Sequence, residues 1–168
     1  MSGHFLQERR AGVLLHPTSL PSGRLDGDAE RWLDLLADAG ISVWQVLPLG
    51  VTHEDHSPYQ CLSAFAMSPR LFGETAAAHI DAADFERWKE SQHHWLVDFA
   101  LFMIIREQQH SAPWYSWPDA LRLRDPDALA ALTSEYAADI AGVCEKQYLC
   151  HRRWAQIRDH ARERGILL

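Results

Sequence analysis

The stretch from Gly12 to Leu47 constrains the fold more than any other part of this chain. Gly12-Val13-Leu14-Leu15 is a short apolar run stopped by His16-Pro17, the pattern of a buried strand ending in a loop. Residues 41–47 form a second run, rich in β-branched side chains and closed by Pro48. Between the two, Ala29, Trp32, Leu33, Leu36 and Ala39 recur at helical spacing. Asp26 and Gly27 offer N-cap positions, Asp28 and Glu30 put negative charge in the first turn, and Gly40 stands where the helix must stop. Strand, helix and strand within about 35 residues is the length of a right-handed βαβ crossover, which makes the strands parallel. Two strands alone do not make a stable parallel sheet, so this α/β unit needs neighbours.

The loops leaving both strands are polar. Residues 16–23 carry two prolines, a glycine and three hydroxyl side chains, a composition of neither helix nor sheet interior. Residues 51–60 lie directly beyond the second strand's C-terminal end, where parallel α/β folds usually bind their substrates. From Asp84 onward the chain reads as helical. Asp84 can cap a helix whose apolar face runs through Phe85, Trp88, Trp95, Phe99, Phe102 and Ile105, and the proline-bounded stretch 113–118 breaks it. Asp125-Pro126 has the cap-plus-proline form of a new start, and the stripe from Leu129 to Ile157 predicts helix with a break near Thr133. Gly165 ends the last helix, and Ile166-Leu167-Leu168 has the form of a third strand beginning.

Sixteen basic and twenty-three acidic residues give a formal net charge of -7 without long runs. That balance offers no electrostatic footprint for nucleic acid or an anionic membrane surface. The N-terminus has no apolar core of signal-peptide length, and the apolar runs fall well short of the ~20 residues that span a bilayer. Cys61, Cys144 and Cys150 are odd in number and lack framework spacing, which predicts reduced thiols in a cytoplasmic protein. No metal is expected. The cysteines are too widely spaced for a zinc knuckle, and His53-Glu54-Asp55-His56 lacks the helical i, i+4 histidine pair of a zinc protease.

Several strings together carry a family resemblance. They are Gly12-Val13-Leu14-Leu15-His16-Pro17-Thr18-Ser19-Leu20-Pro21, Trp44-Gln45-Val46-Leu47-Pro48-Leu49-Gly50, Ser57-Pro58-Tyr59-Gln60 and Ser63-Ala64-Phe65-Ala66. Trp95-Leu96, Asp98, Ala100-Leu101-Phe102, Pro113-Trp114, Trp117-Pro118, Arg122 and Arg124-Asp125-Pro126 follow in order. The chain resembles the opening of the 4-α-glucanotransferase family, the amylomaltases or disproportionating enzymes. It departs from that pattern at Met67-Ser68, where the family usually has glycine then asparagine.

The resemblance implies an incomplete (β/α)₈ TIM barrel: two strands, the start of a third, and a mainly helical insertion. Residues 1–60 would open the barrel, 61–132 form the insertion, and 133–168 return to the sheet. It also implies transfer of α-1,4-glucan segments between maltooligosaccharides, with no metal or organic cofactor. Such a retaining reaction needs a carboxylate nucleophile and a second carboxyl about 5 Å away. The family carries both on later strands, so no catalytic residue is assigned here and the chain alone is expected to be inactive. The remainder of the barrel is then an expected partner. A non-catalytic α-glucan-binding module, or an interaction fragment of a split enzyme, is the alternative.

The same resemblance places the Tyr59 ring on a sugar, with Ser57 and Gln60 lining neighbouring parts of the cleft. An aromatic face suits the C–H side of a glucose ring, while hydroxyl and amide groups satisfy its edges. The plainer reading is a structured turn with a half-buried tyrosine. His16 and Ser19 lie on the first strand's exit loop, also at the expected substrate end, with loop packing and helix capping as simpler roles. Glu54 and Asp55 are adjacent in sequence and so are not placed on opposite faces of a sugar. Of the seven tryptophans, Trp88 and Trp95 fit the core, and Trp114 and Trp117 fit the packing of a corner between prolines.

Overall fold

The computed structural model describes residues 9–73 and 80–168. It has the predicted α/β character: two parallel strands and six α-helices among the described residues. Strand β1 (Gly12–Leu14) pairs with β2 (Val43–Gln45) in the register Gly12↔Val43, Val13↔Trp44, Leu14↔Gln45. The strands are shorter than the apolar runs that announce them. Backbone bonds from Ser42 N to Ala11 O and from Leu15 N to Gln45 O, each 3.0 Å, extend the pairing by one residue at either end. The expected third strand begins as one parallel bridge, Val43↔Leu167. Its two bonds, Trp44 N to Leu167 O at 2.9 Å and Leu167 N to Ser42 O at 3.0 Å, add Leu167 to the sheet.

The crossover helix α1 (Gly27–Asp38) starts at Asp26, whose carboxylate accepts from the Asp28 amide at 2.9 Å. Gly40 follows the helix at φ +70°, the left-handed conformation that ends it. Ala29, Leu33 and Leu36 face inward and pack with Trp44, Leu25, Leu71 and Phe72 into one core. Trp44 is wholly buried, yet its indole N–H is satisfied by Leu15 O at 2.8 Å. Trp32 meets it edge-on, with ring centroids 6.5 Å apart. Side chains of this size each stabilise the fold by about 1.5–3 kcal/mol when fully buried.

The chain divides into two compact units, Met1–Ala77 with Cys150–Leu168, and Ala78–Leu149. In the first, the end of the long helix α6 (Ala137–Glu163) covers the α1 side of the core through Ile157 and Ala161. Arg153 donates to Leu25 O at 2.9 Å and to Glu30 at 2.7 Å, and Asp34 accepts from Arg164 at 3.0 Å.

The second unit corrects the helix expected from Asp84. Helix α2 (Ala82–Ser91) is capped by Asp81, and a separate α3 (Leu96–Gln108) follows a turn. The Trp95 indole donates to Gln92 Oε1 at 2.9 Å across that turn. Trp88 and Trp95 are seven residues apart, so the apolar stripe keeps its face through the interruption and its period cannot reveal it. Asp84 instead accepts from the Tyr148 hydroxyl, and Tyr148 packs between Phe85 and Trp88 with centroids 5.3 and 5.4 Å away. Past α3 come a short α4 (Asp119–Arg122) and α5 (Pro126–Glu135), the latter capped by Asp125 as its sequence predicts. The break before α6 falls at Tyr136, later than Thr133. Trp117 is buried in the corner with its N–H on Ala112 O at 2.9 Å, but Trp114 is 57% exposed and does not share that packing role. Among the described residues no helix is long and apolar enough to cross a membrane.

Candidate functional site

The loop after β2 is a closed, internally bonded structure. Antiparallel bridges Gly50↔Met67 and Thr52↔Cys61 draw its two arms together. Bonds from Leu62 N to Val51 O at 2.7 Å and from Ser68 N to Leu49 O at 2.8 Å support them. Gly50 is required by this closeness, because a Cβ there would lie 2.7 Å from Cys61 Sγ and 3.0 Å from its Cβ.

Ser57-Pro58-Tyr59-Gln60 forms a tight turn at the loop's tip. Gln60 N donates to Ser57 O at 3.1 Å, and proline at the second position pre-sets the backbone. Cys61 Sγ donates to Pro58 O at 3.3 Å, and Asp55 accepts from the Ser57 amide at 3.1 Å. The structured turn is therefore real, but its tyrosine is 75% exposed rather than half-buried. Nearby, Ser63 Oγ accepts from the amides of Phe65 and Ala66, both at 3.1 Å, and Phe65 is left 59% exposed. Tyr59 and Phe65 line an open cleft of about 740 Å³ floored by the chain from Val46 to Gly50.

A second cleft of about 360 Å³ is lined by His16, Thr18, Arg24, His56, Ser68 and Arg70, with Pro48, Gly50 and Pro58 common to both. His16 caps the 3-10 turn Pro17–Ser19, its Nδ1 accepting from Thr18 N at 3.4 Å and meeting Thr18 Oγ1 at 2.9 Å. With Nδ1 accepting, the neutral ring carries its proton on Nε2, which is buried without a hydrogen-bond partner. Burial, the larger influence, lowers the His16 pKa below its ordinary value, while the Pro48 backbone acts in the opposite sense.

The expected site residues thus fall in different places. Tyr59 lines the larger cleft and His16 the smaller. Ser57 and Gln60 shape the turn that presents Tyr59, and Ser19 is exposed on the 3-10 turn; none of the three lines either cleft. Phe65 was not singled out as a site residue, although its serine-led turn is visible in Ser63-Ala64-Phe65-Ala66. Arg24 and Arg70 carry no local signal, being brought together only by the fold. His53, Glu54, Asp55 and His56 are all exposed, and among the described residues no group of three or more His, Cys, Asp or Glu could hold a metal ion. Among the described residues, no aspartate or glutamate lines either cleft.

Comparison with known proteins places this geometry in context. A sequence model of the 4-alpha-glucanotransferase family matches residues 14–76 and 70–168. The 4-alpha-glucanotransferase of Synechocystis sp. is 31% identical over 213 residues, covering 97% of this chain and 42% of that protein. That of Thermus thermophilus is 33% identical over 205 residues, covering 94% and 41%. The chain therefore spans about two-fifths of the length of these curated relatives. An amylomaltase from Streptococcus agalactiae in complex with acarbose superposes with a TM-score of 0.83 at 24% identity, covering 95% of this chain and 42% of that one. At that identity the likeness speaks for the fold.

Proposed function

Because this chain belongs to the 4-alpha-glucanotransferase family, we propose that it forms the glucan-facing wall of such an enzyme and binds maltooligosaccharides without performing the transfer itself. The observation that carries this reading is that exposed Tyr59 and Phe65 both line an open cleft that, among the described residues, no carboxylate lines. Exposed aromatic rings on a rigid turn are costly to leave in water and suit the apolar faces of sugar rings. Transfer with retention needs two carboxylates about 5 Å apart, which the described residues of this cleft do not supply.

In this reading β1, β2 and the Leu167 bridge are the opening strands of a (β/α)₈ barrel. Residues 61–132 are its helical insertion and 133–168 the return. Leu14 is 55% exposed on β1, which fits a strand awaiting cover from the rest of a barrel. Ser57, Gln60, His16 and Ser19 then stand around the sugar path as shaping or edge contacts. The free Cys61, Cys144 and Cys150 support a cytoplasmic protein with reduced thiols.

The test is disproportionation of maltotriose by the purified chain, produced in a host without its own amylomaltase. No glucose is expected. Glucose release above a blank preparation would move the chemistry into these residues and overturn the reading.

A further inference from the structure

The smaller cleft has an electrostatic character that a neutral sugar does not call for. The chain as a whole carries a formal charge of -7, yet among the described residues the ionisable ones lining this cleft are Arg24, Arg70, His16 and His56. Arginines elsewhere, such as Arg124 and Arg153, are matched to carboxylates at 3.0 and 2.7 Å. Among the described residues no ion pair holds Arg24 or Arg70.

Their placement is fixed by the core rather than by chance at a surface. Leu25 N donates to Leu71 O at 2.6 Å, and both leucines are buried. Arg24 and Arg70 each precede one partner of that bonded pair, so the two cationic segments are pinned side by side. Arg70 is held further by His56. Its Nη1 lies 3.1 Å from both ring nitrogens of His56. No other hydrogen bond or ion pair engages the Arg70 guanidinium among the described residues, and its forked N–H donors suit an oxyanion. His56 is itself set by a backbone at φ 56°, in a turn closed from its amide to His53 O at 3.2 Å.

Hydroxyl groups complete the lining. Ser68, 8% exposed, lines the cleft, and its side chain does not cap the turn that follows it. Thr18 and Thr52 also line the cleft. Forked guanidinium donors from two segments, with hydroxyls between them, are the donor set that recognises tetrahedral oxyanions. A volume of about 360 Å³ lies within the range of small-ligand sites.

We propose that this cleft is an oxyanion site that takes phosphate, free or esterified to a sugar, between Arg24 and Arg70. The proposal goes beyond the glucan reading and does not require Tyr59 to bind sugar.

The experiment is calorimetric titration of the full chain with inorganic phosphate, and separately with glucose 1-phosphate, at low ionic strength where surface charge is least screened. Saturable binding is expected, weakened about tenfold or more in Arg24→Gln and in Arg70→Gln. Arg158→Gln removes the same charge from an exposed position on α6 outside the cleft and should leave binding unchanged. Tighter binding of glucose 1-phosphate than of phosphate identifies a sugar phosphate as the ligand, and equal binding identifies the free ion; either supports the site. Should an arginine variant fail to fold, the wild-type chain still decides through a phosphate-dependent rise in Tm above chloride at equal ionic strength. No saturation by about 10 mM phosphate, or an equal loss in Arg158→Gln, overturns the proposal.

Discussion

Replacing Gly50 with alanine tests whether the loop that presents Tyr59 is locked by contact. Gly50 is not among the residues at positive φ, so alanine meets no backbone strain there. The cost is steric. The new Cβ would stand 2.7 Å from Cys61 Sγ, 3.0 Å from Cys61 Cβ and 3.4 Å from Ser63 O. Carbon atoms pack best at about 3.5–4.0 Å. Rotating Cys61 could relieve the sulfur contact at the expense of its 3.3 Å bond to Pro58 O. It cannot move Cβ, so the arms joined by the Thr52↔Cys61 bridge must spread. Overpacking of this kind costs about 1–3 kcal/mol. Loss of unfolded-chain freedom offsets roughly 0.4–1 kcal/mol of it, leaving a net destabilisation. For a chain of this size the Tm should fall by several degrees, at about 2–4 °C per kcal/mol. Gly142 in α6 is the counterexample: a Cβ there meets nothing within 4 Å, so Gly142→Ala should raise stability by roughly 0.5–1 kcal/mol. Differential scanning calorimetry of both variants, with Gly50→Ala/Cys61→Ala recovering the sulfur-dependent part, makes the comparison. A Gly50→Ala chain as stable as Gly142→Ala would refute the argument that Cys61 closes the loop on Gly50.

Thiol labelling should separate the cysteines. Burial pushes the Cys150 thiol up to about 12 and also raises that of Cys144, so a thiolate-seeking reagent should modify Cys61 first and the other two only on unfolding. His16 has a folded pKa below its unfolded value, so the unfolded chain binds more protons between the two and stability should drop as pH falls through about 6.5, levelling off below the folded value. His16→Asn keeps a capping acceptor and should flatten that part of the urea-midpoint profile; an unchanged slope would contradict the assignment. Trp44→Phe removes the donor to Leu15 O and opens a void beside Trp32, and should lower stability by about 2 kcal/mol or more in urea melts.

What the sequence made legible was local or periodic. The crossover from β1 to β2 could be read because Asp26, the inward leucines and Gly40 act within a few residues of one another. The Asp125 cap of α5 was readable for the same reason. The turn between α2 and α3 was not, since it interrupts the helix without disturbing the spacing of the apolar face. Trp114 and Trp117 share a composition and neighbours but not a burial, which depends on whether Phe102 stands beneath the ring; the Phe102–Trp117 centroids lie 5.5 Å apart. Tyr59 could be picked out with its turn. The cluster of Arg24, His56 and Arg70 exists only after the Leu25–Leu71 bond forms, and no window of sequence contains it.

The account stands most directly on a titration of maltoheptaose against the purified chain and its Tyr59→Ala variant, followed by calorimetry or tryptophan fluorescence. Tyr59 is exposed, so its removal should change stability by only about 0.5 kcal/mol, and any loss of binding reports on the site. Saturable binding that weakens about tenfold in the variant is the predicted result. Binding of equal strength in both chains, or none at millimolar sugar, would contradict a glucan wall built on Tyr59.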